Sequence, residues 1–225
     1  MQRASKLFTE EQRQRINQAV AEAESVTSVE FVPVVATASG RYDRPEDLVG
    51  LWLGVLGMIV AWLLLPEGRR EPGDWGGLSS GTELALLVLV VVVGFVVGTV
   101  LGSRVGVLRC LFTSNRQMSE ELAARAREVF FDRRIRQTAG RTGMLIYVSL
   151  FERMAAILAD QAVTEKLGQP AMEELCSQLI ADLKAGNPTE AICAALKRAA
   201  DRLAPMLPRA HDDVNELPNG LITID

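Results

Sequence analysis

Residues Leu84–Gly102, LALLVLVVVVGFVVGTVLG, form a run without one charged side chain. A second uncharged run, VGLWLGVLGMIVAWLLL, spans Val49–Leu65. As helices they are about 25–28 Å long, enough to cross the hydrocarbon core of a bilayer. Setting them and their connecting loop aside leaves roughly 165–170 residues, enough for one compact domain. Such a domain has too little surface to cover two helices that are apolar all round. The pair is therefore expected to form a transmembrane hairpin rather than core helices. The loop, PEGRREPGDWGGLSSGTE, reads as a turn exposed on the far side. Trp52, Trp62 and Trp75 fall near the span ends or in the loop, where interfacial tryptophans sit.

The glycines sharpen this expectation. The first span carries Gly50, Gly54 and Gly57, and the second carries Gly94, Gly98 and Gly102 in two GxxxG steps. In an antiparallel hairpin Gly50 is expected opposite Gly102, Gly54 near Gly98 and Gly57 near Gly94. Small residues at matching depth let backbones approach where lipid removes the hydrophobic drive. Homo-oligomerisation through the same faces is the alternative use of these glycines.

Two spans return the chain to the side it left. Arg41, Arg44, Arg104, Arg109 and Arg116 flank the spans there, against Arg69 and Arg70 in the loop. The positive-inside rule then favours a cytoplasmic soluble part of a two-pass inner (cell) membrane protein. The N-terminus, MQRASKLFTEEQRQRINQAV, has no apolar core, so no cleaved signal peptide is expected. A net charge of −4 and the lack of a basic stripe argue against nucleic acid. The single histidine, His211, and the scattered Cys110, Cys176 and Cys193 make neither a zinc motif nor a disulfide framework. His211 beside Asp212 and Asp213 reads as part of a solvated tail, and Cys110 alone is thin support for acylation.

The rest reads as two halves of an α/β domain. Thr9-Glu10-Glu11-Gln12 is a capping box opening a helix with Ile16, Ala19, Val20 and Ala23 on one face. Val29–Ala38 is a predicted strand in which Pro33 predicts an edge or a bulge. After the hairpin, a helix from Ser119 aligns Leu122, Ala126, Val129 and Phe130. Arg141–Leu150 and Arg153–Asp160 are two strands of an antiparallel pair. Two helices follow, one from about Pro170 to Gly186 and one opened by Asn187-Pro188-Thr189-Glu190. The order α-β-α-β-β-α-α predicts a small mixed sheet between helices. The expected partition is 1–47 and 105–210 for the domain, 48–104 for the hairpin and 211–225 for a tail.

The segments VEFVPVV, AREVFFDRRIRQTAGRTGMLIYVSLFER and the β run ending at Asp160 resemble the TPM domain family. The resemblance implies an α/β/α sandwich. It also implies roles in assembly, repair or modulation of membrane complexes, with acid phosphatase activity and calcium binding in some members. The chain departs from the family where Thr142-Gly143 replaces Asn-Gly, and where Asp160-Gln161-Ala162-Val163 lacks the glycine-rich turn. The fold is carried over and the activity is not.

Ligands of such sheets favour the crevice beyond the carboxyl ends of the strands. That edge holds Ser39–Asp43, Ser149, Glu152 and Arg153. Asp43 and Glu152 are candidate ligands for a divalent cation, with Arg41 and Arg153 holding a phosphate. The other reading makes them linker and turn residues, with Arg41 and Arg44 as headgroup anchors. Ser149 has no candidate base and no nucleophile-elbow glycines. At the opposite edge Arg141, Asp160 and Glu30 are expected to form surface pairs. The first span leaves from the strand-end edge, which is therefore expected at the membrane. No cofactor is evident from the residues, and calcium enters by resemblance alone. The expected partners are the lipid bilayer and another membrane protein. The favoured function is an interaction or assembly module; a metal-assisted phosphatase and a lipid-headgroup sensor are the alternatives.

Overall fold

In the computed structural model of the chain the described residues are 3–40, 44–64, 80–104, 114–138, 140–209, 216–217 and 220–225. They divide into two units, Met1–Gly40 with Arg116–Asp225, and Arg41–Asn115. Arg41, Asp43, Trp75, Arg69, Arg70, Arg109, Cys110 and His211 lie outside the described residues.

The first unit opens with α1 (Ala4–Leu7) and α2 (Glu10–Val26). The capping box forms as the sequence predicts: the Thr9 hydroxyl accepts from the Gln12 N–H, and the Gln12 carboxamide accepts from the Thr9 N–H at 2.9 Å. β1 (Glu30–Ala36) follows. After the hairpin come α5 (Asn115–Asp132), a 3₁₀ turn (Ile135–Gln137), β2 (Gly143–Ser149) and β3 (Met154–Ala159). The helices α6 (Gln161–Leu167), α7 (Gln169–Lys184) and α8 (Pro188–Leu203) precede β4 (Ile222–Ile224). At the start of α8 the Asn187 side chain accepts from the Glu190 N–H at 3.3 Å.

The sheet order is β3-β2-β1-β4. β1 runs parallel to β2 from Glu30↔Gly143 to Ala36↔Ser149, and β3 is antiparallel to β2. One face packs Phe31, Val35, Met144 and Ile146 against α2, α7 and α8. The other packs Val32, Val34, Leu145 and Tyr147 against α5. Alternation along each strand thus feeds two separate cores, and the domain is the predicted α/β/α sandwich with a small mixed sheet.

Four details differ from the sequence reading. The stretch expected to be tail supplies β4, parallel to β1 over Val34–Ala36. Ile222–Ile224 reads as a briefly β-like end to a polar tail, and the open side of β1 recruits it as a strand. Pro33 then sits in an inner strand, yet its edge character survives locally, because β4 begins to pair only at Val34. Below that point the Glu24 carboxylate accepts from the Phe31 N–H at 3.1 Å, in place of a neighbouring strand. The short α6 was not anticipated: the Asp160 side chain accepts from the Gln161 N–H and caps it. Lastly, Glu30 and Asp160 do not lie at the surface. Both are buried, Glu30 accepting from the Glu216 N–H, while exposed Arg141 donates to the Gln161 carboxamide.

The second unit contains α3 (Arg44–Leu64) and α4 (Ser80–Arg104), somewhat longer than the uncharged runs. Both are long and apolar enough to cross a membrane, over Asp47–Leu64 and Gly81–Gly102. Only 17% of the first window and 6% of the second is buried within the protein, which separates them from core helices. Trp52 and Trp62 are largely exposed. The helices meet through glycine, but one GxxxG step away from the expected depth. A Cβ on Gly98 would stand 2.6 Å from the Gly50 Cα, and one on Gly94 3.0 Å from the Gly54 Cα. Gly57 faces the Val90 side chain instead, and Gly102 is buried. Matching by depth ignored where α3 begins: five residues upstream of the uncharged run, α3 already carries helical backbone.

Candidate functional site at the strand ends

β1 and β2 end side by side, Ala36 opposite Ser149, and the turn after β2 folds back across them. The Leu150 and Phe151 N–H groups donate to the Ala36 and Thr37 carbonyls at 3.0 and 3.1 Å. This places Glu152 over the end of β1. One of its carboxylate oxygens accepts from the Ser39 N–H at 2.8 Å, and the other accepts from the Ser149 hydroxyl in a very short hydrogen bond. Ser39 in turn shares a hydrogen bond with the Tyr147 hydroxyl at 3.3 Å. Ser149, Glu152 and Tyr147 are all buried. The result is a polar bracket that ties the end of β2 to the segment leaving β1.

Of the predicted site residues, the structure brings Ser149 and Glu152 into direct contact. Arg153 follows on the same turn with a left-handed backbone, φ +54°, and an exposed side chain. Asp43 and Arg41 lie outside the described residues. Ser39 and Tyr147 are the members that sequence reasoning missed. Tyr147 alternates with Ile146 and Val148 in an apolar strand, so its hydroxyl gave no polar signal. Only the pairing of β1 with β2 brings Ser39 to it.

The fit of a calcium ion can be tested on these groups. Calcium takes six to eight oxygens, carboxylates foremost. Both Glu152 oxygens are engaged by donors of the protein itself. Among the described residues no three His, Cys, Asp or Glu side chains converge as metal ligands. The described residues therefore do not make a calcium site.

The neighbouring edge is closed differently. The Asp225 side chain accepts from the Ser5 hydroxyl at 2.5 Å and from the Thr37 hydroxyl at 3.0 Å, which stitches α1 to the β1–β4 ladder. Hydrogen bonding from Ser5 holds the Asp225 carboxyl below the usual range. The two described cysteines, Cys176 and Cys193, are not activated as nucleophiles. Burial pushes the Cys176 thiol up, and it donates to the Ala155 carbonyl; burial raises Cys193 likewise.

Tyr147 gives a pH prediction. Burial raises its phenol above the ordinary value, against its hydrogen bond with Ser39 and with help from the Glu152 charge. A raised folded-state value means that the protonated form is favoured by folding. The contribution is complete below about pH 10, the unfolded value, and is lost as pH rises through the folded one. In Tyr42→Phe protein, tyrosinate absorbance should rise together with loss of near-ultraviolet dichroism. Ionisation at an ordinary value in still-folded protein would contradict the buried phenol.

Comparison with known proteins agrees with this architecture. No curated protein matches the chain. Among solved structures, the fold is similar to the NMR structure of BA42 protein from the psychrophilic bacterium Bizionia argentinensis. The TM-score is 0.59 at 17% identity, over 99% of each chain. The sequence profile described as TPM domain matches residues 108–202, which take in α5, β2, β3 and the helices through most of α8. The matched segment, residues 108–202, is set in a sandwich whose first strand and last strand come from outside it.

Proposed function

We propose that the protein is a membrane-tethered interaction module, in which the TPM domain meets another membrane protein and the hairpin restricts where it can do so. The observation that carries this reading is the hairpin itself. Its two helices satisfy one another through glycine and leave nearly all remaining apolar surface uncovered by protein. A bilayer is the environment that covers such faces without cost. A cytoplasmic placement rests on the arginines that flank the spans.

The alternative is a metal-assisted phosphatase at the strand ends. The engaged Glu152 carboxylate favours a structural role over ligation. Glu152→Gln should therefore destabilise the domain by about 2 kcal/mol, since one of its two acceptor oxygens becomes an amide facing a donor. Thermal unfolding of the detergent-purified chain measures this directly.

The deciding assay is phosphate release from a phosphomonoester with and without calcium, magnesium or manganese, beside Asp43→Ala. The expected result is no metal-dependent turnover, with crosslinking in native membranes recovering another membrane protein. Metal-dependent turnover lost in Asp43→Ala, at unchanged melting temperature, would replace the interaction module by the phosphatase.

A further inference from the structure

The TPM domain carries two surface depressions of similar size among its described residues. The first, of about 430 Å³, lies between α2 and α8, and Glu22, Glu190 and Asp201 outnumber Lys197 around it. The second, of about 360 Å³, has the opposite character. Leu7, Leu150, Ile180, Leu183 and Pro188 supply apolar walls, and its only charged lining residues are Arg153 and Lys184. It lies where the turn after β2 meets α1, the end of α7 and the start of α8.

Neither cation pairs with a carboxylate among the described residues. Both are exposed, whereas the leucines and Ile180 are partly covered. The one hydroxyl in the lining, Ser149, is already committed to Glu152. No aromatic ring lines the depression, so it has nothing on which to stack a nucleobase. An acidic peptide would satisfy the cations but leave the apolar walls unmatched. The complementary ligand has one anionic head and an apolar chain. The volume lies at the small end of ligand pockets, which favours one chain over two.

Arg153 adds a second observation. Its φ of +54° is a left-handed position that glycine adopts without strain and arginine does not. Arg134 and Arg141 share this conformation, but of the three only Arg153 lines the depression.

We propose that this depression binds a single-chain anionic lipid, a long-chain carboxylate. Its head lies between Arg153 and Lys184, and its chain lies on Leu7, Leu150, Ile180 and Leu183. The proposal is independent of the interaction-module reading and of whether the hairpin spans a membrane.

The test uses the full chain in nanodiscs of zwitterionic lipid and a long-chain carboxylate carrying a diazirine on its chain. After illumination, mass spectrometry maps the labelled peptides. Label is expected on segments 148–154 and 180–188. It should fall about fivefold or more in Lys184→Gln and in Arg153→Gly. Arg153→Gly relieves the turn, so its melting temperature should be unchanged or higher while labelling drops; a purely structural arginine would give the reverse. The unlabelled carboxylate should compete, and the matching long-chain alcohol should not. Label confined to the hairpin helices would overturn the proposal. So would labelling indifferent to both variants, equal competition by the alcohol, or equal competition by a two-chain anionic phospholipid.

Discussion

Gly143→Ala is expected to destabilise the α/β/α domain by about 3 kcal/mol or more, a large share of the stability of a domain this size. A Cβ at Gly143 would stand 2.2 Å from the Ile135 carbonyl oxygen, 2.6 Å from its Cγ2 and 3.0 Å from its carbonyl carbon. Two of those atoms are backbone, held by the 3₁₀ turn that packs Ile135 into the core beneath α5. No rotamer change relieves the contact. Either the turn lifts off the sheet or β2 shifts in register, and a shift in β2 also breaks its pairing with β1 and β3. Gly140→Ala is the control, because its Cβ would meet only Thr142 side-chain atoms, at 3.3 Å, and should change stability by less than about 1 kcal/mol. Thermal unfolding of both variants in detergent decides the matter. Equal melting temperatures would mean that the Ile135 turn is far more yielding than its packing indicates.

In Gly98→Ala the strain falls on the hairpin instead. The added Cβ would lie 2.6 Å from the Gly50 Cα and 2.9 Å from the Val49 carbonyl oxygen. Both are backbone atoms of the facing helix, so α3 and α4 must separate at that depth. The expected cost is about 1–3 kcal/mol of helix–helix packing. Gly57→Ala, whose nearest neighbour is the Val90 Cγ1 at 3.2 Å, should be tolerated by a small side-chain adjustment. Spin labels at the exposed positions Leu51 and Val97 in a cysteine-free background should report a longer, broader distance in Gly98→Ala and not in Gly57→Ala. Unfolding of the TPM domain should be unaffected by either, since the glycine contacts lie wholly within the second unit. An unchanged distance in Gly98→Ala would show that the helices do not meet through this face.

Taken together, the two glycine sites and the Glu152 bracket share one feature: each depends on backbone approaching backbone or backbone approaching a side chain from a distant segment. Glu152 reads as a turn residue in the sequence because its neighbours, Phe151 and Arg153, carry no pattern. It becomes a buried tie only when β1 ends beside β2 and presents the Ser39 N–H. The expected surface position of Glu30 and Asp160 failed for a related reason. Charge predicts exposure, yet each of these carboxylates accepts from a backbone N–H that would otherwise be orphaned, Glu216 for one and Gln161 for the other.

The sequence by itself determined the elements whose cause is local. The capping box at Thr9, the proline-opened helix after Asn187, the two apolar spans and the antiparallel pairing of β2 with β3 all follow from residues within a few positions of one another. Periodicity also determined the two-faced sheet, because alternation assigns Phe31 and Val32 to opposite cores without knowledge of what fills them. Tertiary structure alone decided the rest. β4 has three residues and only a brief β-like signal, and becomes a strand because β1 had an open side for it to join. The glycine register of the hairpin depends on where helical backbone begins, which charge counting does not reveal. The cationic, apolar depression is assembled from three segments far apart in the chain, around Leu7, 148–153 and 180–188. Local free energies are written in neighbouring side chains, whereas the placement of a hydrogen-bond donor or a cation from a distant segment follows only from how the layers pack.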